Sequence, residues 1–173
     1  MNVREAILEE HSKAQSLRIA HFIGNDEQRF ADLMHLFLND EYRVCQRAAW
    51  VVGILSEKYP HLIEPYLETM LLNLEKPVHD AVKRNTVRIL NDLNIIPEHL
   101  LGLTATICFN FISTPSVAVA IKAFSMRILF KICLVEPDLK NELQLIIEDM
   151  LPHESAAFVS TGKDVLKKFK KLA

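Results

Sequence analysis

The sequence predicts an all-α fold made of stacked helical hairpins, and three observations carry that expectation. The 173 residues are half hydrophobic and 8% aromatic, with Leu, Ile, Ala, Lys and Glu prominent and four glycines in the whole chain. Straight-chain residues and alanine favour helices, whereas small β folds need glycine for turns with positive φ. The prolines form two interleaved series: Pro60, Pro97 and Pro137 are 37 and 40 residues apart, and Pro77, Pro115 and Pro152 are 38 and 37 apart. Proline is confined to the first turn or the ends of helices, so two series with one period mean two helices per repeat. Finally, the apolar residues recur with helical spacing.

An N-terminal pair of helices is expected at about 2–10 and 12–24. The next pair falls at 26–38, where Phe30, Leu33, Met34 and Phe37 share a face, and at 41–58, where Val44, Ala48, Val51, Val52 and Leu55 form one stripe. A third pair is expected at 62–75, with Tyr66, Leu67, Met70, Leu71 and Leu74, and at 78–94, with Val78, Val82, Thr86, Ile89 and Leu93. The fourth covers 97–113 and 116–135. Thr104–Thr114 is rich in strand formers, but its place in the repeat makes it a helix. The last pair is 138–150 with 155–171. Side chains repeat too: Val82–Leu90 matches Ile121–Leu129 at an offset of 39, and an offset of 37 sets Gln46-Arg47 on Lys83-Arg84 and Val52 on Ile89. With no long polar linker, the chain reads as one domain over 1–173. Its N-terminal cap is 1–25 and its repeats are 26–60, 61–97, 98–137 and 138–173.

The formal net charge of −2 excludes a strongly basic nucleic-acid binder, and the hydrophobic content excludes a disordered tail. Residues Leu101–Ile121 carry no charge, but Asn110 and Pro115 interrupt them, so two buried helices are expected there rather than a membrane span. Cys45, Cys108 and Cys133 sit singly in apolar runs and read as buried reduced thiols of a cytoplasmic protein, consistent with a charged start, Met1–Glu5, that lacks the apolar core of a secretion signal. The seven histidines are scattered, with no pair at i, i+4. No metal site, cofactor or catalytic constellation is expected. Thr161-Gly162-Lys163-Asp164 lacks the first glycine and the final hydroxyl of a phosphate loop.

The run Leu62-Ile63-Glu64-Pro65-Tyr66-Leu67, with Leu71, Leu74, Val82-Lys83, Leu90 and Leu93, resembles the HEAT repeat, which has a proline in its first helix and a Val-Arg pair opening its second. Asp40 resembles the repeat's loop aspartate; Cys45, Lys83 and Lys122 stand at the usual arginine position. The resemblance covers about residues 26–173. It implies a right-handed α-α superhelix, a solenoid of about four hairpins plus N-terminal helices, whose second helices line a concave face that binds other macromolecules. Gln46-Arg47-Ala48-Ala49-Trp50 is also similar to the third helix of the armadillo repeat, but Ile54 and Val87 stand where a Trp–Asn peptide ladder would continue.

On that resemblance, Arg43, Gln46, Arg47 and Trp50 of one second helix lie beside Lys83, Arg84, Arg88 and Asn91 of the next. A tryptophan among arginines suits an acidic or mixed helix or peptide of another protein. The same residues also suit a solvated face, with the Trp packed on a neighbouring repeat and the cations paired to Glu and Asp. The alternative is nucleic-acid binding in a cradle like that of HEAT-like DNA glycosylases; the pI near 6.4 weighs against it, and of Asp80 and Asp92 neither stands among several aromatics. Residues 155–173 carry a net +4, with Val165, Leu166, Phe169 and Leu172 among the lysines. They read as a capping helix, or else as a contact for phosphate, an acidic partner or an anionic membrane. The apolar block Leu100–Val135 is either interior or a homodimer surface.

Overall fold

The computed structural model describes residues 1–172, and every regular element among them is helical. The chain divides into two compact units, Met1–Asp92 and Leu93–Ala173. The first contains α1 (Val3–Glu9), α2 (Lys13–Ile23), α3 (Glu27–Asn39), α4 (Tyr42–Lys58), α5 (Pro60–Ile63), α6 (Leu67–Asn73) and α7 (Asp80–Asp92). The second contains α8 (Leu101–Ser113), α9 (Val119–Cys133), α10 (Lys140–Met150) and α11 (Ala156–Lys171).

Local chemistry starts and stops these helices. Asn2, Ser12 and Asp26 accept hydrogen bonds from the backbone N–H three residues on, satisfying first-turn donors of α1, α2 and α3. Gly24 ends α2 at φ +56°, a conformation that a β-carbon resists. Both proline series mark helix starts. Pro60 opens α5, Pro97 and Pro137 open single 3-10 turns, and Pro77, Pro115 and Pro152 lie in the turns just ahead of α7, α9 and α11. The seventh proline, Pro65, falls inside the expected helix 62–75. Having no N–H, it tightens Glu64–Tyr66 into a 3-10 turn that separates α5 from α6.

In the first unit α4 is central and packs against α1, α2, α3, α5 and α7. Its side chains Val44, Ala48, Ala49, Val51, Val52 and Leu55 are all buried, as are Phe30, Leu33, Met34 and Phe37 of α3, which packs on it, and Met70 and Leu71 of α6. The buried positions of α4 match those of α7 at an offset of 38: Val44 with Val82, Ala48 with Thr86, Ala49 with Val87, Val51 with Ile89, Val52 with Leu90. This corrects the offset of 37, which would set buried Val51 on exposed Arg88. Trp50 therefore corresponds to Arg88, not to Val87.

In the second unit α9 is central and packs on α8, α10 and α11. The uncharged stretch Leu101–Ile121 is two helices broken around Pro115, as expected, and no helix among the described residues is long and apolar enough to cross a membrane. Leu134 and Val135 are exposed at the end of an otherwise mostly buried apolar block. The buried side chains of α11 are Phe158, Thr161, Val165 and Phe169; Leu172, expected on the same stripe, is exposed. Gly162 allows α11 to approach α10: a β-carbon there would stand 2.8 Å from Ile147 Cγ2.

Lys122 is the unexpected core residue. It is 1% exposed, its Nζ lies 2.5 Å from Glu154 Oε1 in the turn before α11, and it sits 5.9 Å from the centre of the Phe158 ring. A buried ammonium is tolerable only with such a partner. Glu154→Ala is accordingly expected to cost about 3 kcal/mol in denaturant unfolding, while Lys122→Met/Glu154→Gln, which removes both charges and keeps the volume, costs less than about 1 kcal/mol. Gly162→Ala is expected to cost roughly 1–3 kcal/mol in the same assay, because Ile147 is branched at the contact and has no room to retreat.

Candidate functional site

Helices α4 and α7 pack side by side, and what their cores leave over is one strip of each. On α4 the strip is Arg43, Gln46, Arg47 and Trp50, with Arg43 exposed and the others half-buried. On α7, Arg84 and Arg88 are exposed, and Lys83 and Asn91 half-buried.

The strip divides into engaged and free groups. Arg47 points back to α1: its Nη1 donates to the carbonyl oxygens of Ile7 at 3.1 Å and Leu8 at 3.0 Å, in the last turn of that helix. A guanidinium suits this place, since helix C-termini leave carbonyls unpaired and carry partial negative charge. Trp50 meets His11 edge to face, with ring centres 5.9 Å apart at 89°. On α7, Lys83 lies 3.7 Å from Asp80, Arg88 lies 3.7 Å from Asp92, and Asn91 donates to Asp92 at 3.0 Å. Arg43 and Arg84 have no carboxylate partner among the described residues. Asp80 and Asp92 are thus bound to neighbouring cations of their own helix, and Trp50 lies against the N-terminal helices.

A cleft of about 430 Å³ opens next to this strip, between the α3–α4 turn and the start of α7. Phe37, Pro77, Val78 and Val82 form apolar walls, and Tyr42, Cys45, Asn73 and His79 add polar groups. Tyr42 and His79 meet edge to face at 4.4 Å and 80°. Asp40 lies at the edge, held by Arg4, whose Nε donates to Oδ2 at 2.8 Å and Nη2 to Oδ1 at 3.0 Å. The Arg4 hydrogen bond holds the Asp40 carboxyl below its ordinary range. Asn73 was not singled out from the sequence. A signal existed for Asn73: it falls three residues after Met70 on an otherwise apolar face of α6.

The thiols offer little chemistry. Burial pushes Cys108 up to about 12 and Cys133 up to about 11, far from a thiolate at neutral pH. Cys45, half-buried rather than buried as expected, is also raised, and its Sγ donates to Asp40 O at 2.9 Å. Among the described residues no three His, Cys, Asp or Glu side chains are placed to hold a metal ion.

A family model described as the HEAT repeat domain matches residues 3–169. No curated protein and no solved structure matches the chain.

Arg47 ties α1 to α4, so Arg47→Ala is expected to cost about 2 kcal/mol, two charge-assisted hydrogen bonds being lost. Hydrogen exchange should show α1 losing protection while α3 keeps it.

Proposed function

The chain belongs to the HEAT repeat domain family, and from that premise we propose that it is a non-catalytic interaction module, a scaffold or adaptor that holds another protein on the α4–α7 strip of its first unit. HEAT repeats are generally protein-interaction scaffolds and typically carry no catalytic activity. The observation that carries the location is the pair of exposed guanidiniums, Arg43 and Arg84, without carboxylate partners among the described residues, on two helices that pack together. Arginine presents planar, forked donors that match carboxylates, so the partner proposed is an acidic or mixed helix or peptide. Arg88, Lys83, Gln46 and Asn91 complete the polar rim. Arg47 and Trp50 support it from behind, because their donors and ring face α1 and His11.

A protein partner is preferred to nucleic acid. Phosphate binding needs a clear positive field, whereas the chain has a net charge of −2 and Lys83 and Arg88 already lie beside aspartates. A cytoplasmic location for this module is part of the proposal and rests on its three free thiols.

The test is affinity capture from the native host with the wild-type chain and Arg43→Glu/Arg84→Glu, followed by binding measurements on the purified partner. Both substitutions are at exposed positions, so circular dichroism should be unchanged. The double reversal is expected to weaken binding by about 2–4 kcal/mol, through loss of two ion pairs and new like-charge repulsion. Binding of equal strength by both forms would place the interface elsewhere. Capture of nucleic acid released steeply by salt would replace the protein partner with phosphate.

A further inference from the structure

We infer that the cleft between the α3–α4 turn and the start of α7 receives an apolar side chain of a partner's peptide segment together with a neighbouring carbonyl oxygen, which accepts a hydrogen bond from Asn73. The inference rests on the proposed role of the first unit in binding a protein, and it specifies the chemistry of what is bound.

The balance of donors and acceptors in the cleft points to this occupant. Asn73 is 4% exposed, and its Nδ2 has no acceptor among the described residues. A buried donor left unpaired costs free energy that an isosteric leucine would avoid. Several acceptors of the cleft are taken. Asp40 Oδ2 and Oδ1 receive Arg4, and Oδ1 also receives the Glu41 backbone N–H at 2.6 Å. His79 Nδ1 accepts the Ala81 N–H at 3.0 Å, so the neutral ring carries its hydrogen on Nε2 and presents a donor. The Cys45 thiol is spent on Asp40 O. Asn73 Nδ2 thus finds no acceptor among these groups, and a ligand that brings one would satisfy it.

The walls choose which one. No Lys or Arg lines the cleft, so a carboxylate would enter without a countercharge, and a neutral carbonyl is favoured. The apolar lining of Phe37, Pro77, Val78 and Val82 requires an apolar body beside that carbonyl. An apolar residue in a peptide supplies both. Arg43 directly follows Tyr42 of the cleft, and Lys83 and Arg84 directly follow Val82. An anchor residue seated here would thus bring its neighbours to the charged strip.

The experiment uses the whole chain, immobilised and panned against a random-peptide display library, with Asn73→Leu and Tyr42→Ala as variants. Enriched peptides should share an apolar anchor, and adding one should shift the Asn73 side-chain amide resonances. Asn73→Leu should weaken binding roughly tenfold or more while raising the thermal midpoint, since it removes an unpaired donor. Tyr42→Ala, at an exposed rim position, should weaken binding while lowering the midpoint only slightly, through the lost His79 contact. Should Asn73→Leu fail to fold, binding by Tyr42→Ala decides. Failure to enrich any peptide, or peptides held equally well by the variants, would overturn the inference. So would a lower midpoint for folded Asn73→Leu, which would assign the amide to an internal water. If Arg43→Glu/Arg84→Glu loses the native partner while Asn73→Leu and Tyr42→Ala keep it, the strip stands as the interface and the cleft does not.

Discussion

A helix that must be apolar toward several neighbours at once has little surface left to spend on anything else. Helix α4 meets α1, α2, α3, α5 and α7, and seven of its seventeen residues are buried. Much of the first unit follows from that constraint. Alanine at 48 and 49 keeps the helix thin where its neighbours approach. Close packing of this kind leaves few alternatives for volume. The polar residues of α4 are squeezed into one strip, and half of that strip is drawn into holding the N-terminal helices. What remains for the proposed partner is Arg43 and Gln46, the matching groups of α7, and the cleft beside them.

The second unit solves the same problem around α9 by a different route. Here the helix position that meets the next turn is a lysine, and its charge is neutralised by Glu154 thirty-two residues later. Removing one member of such a pair is far more damaging than replacing the pair with apolar groups. The ion pair therefore ties α9 to the turn before α11, while Gly162 lets α11 lie close on α10. The basic face of α11 is a consequence of this packing: Phe158, Val165 and Phe169 turn inward, and the lysines are on what remains.

The architecture was legible because proline spacing and apolar periodicity report the same repeat independently. Helix 104–114, with its strand-forming residues, was recoverable from its place in that repeat. The offset between α4 and α7 was misread by one residue because Gln46-Arg47 against Lys83-Arg84, with the single apolar match of Val52 to Ile89, was weighed above the full core pattern. That pattern pairs Val44, Ala49 and Val52 with Val82, Val87 and Leu90. The strip itself was legible as a set of residues, but not its division into engaged and free groups. Arg47 is used by carbonyls forty and thirty-nine residues away, and no local signal marks that. Lys122 was visible as a charge in an apolar block, yet its partner is tertiary. Asn73 left a trace, a polar residue on an apolar face.

The proposed partner occupies the strip and cleft of the first unit rather than the basic face of α11. Hydrogen exchange on the whole chain, with and without the protein it captures, tests this most directly. The account predicts new protection over residues 40–47 and 77–91, with 156–172 unchanged. Protection that appears over 156–172 and leaves 40–47 and 77–91 as they were would contradict it, and would make the lysine-rich helix the interface.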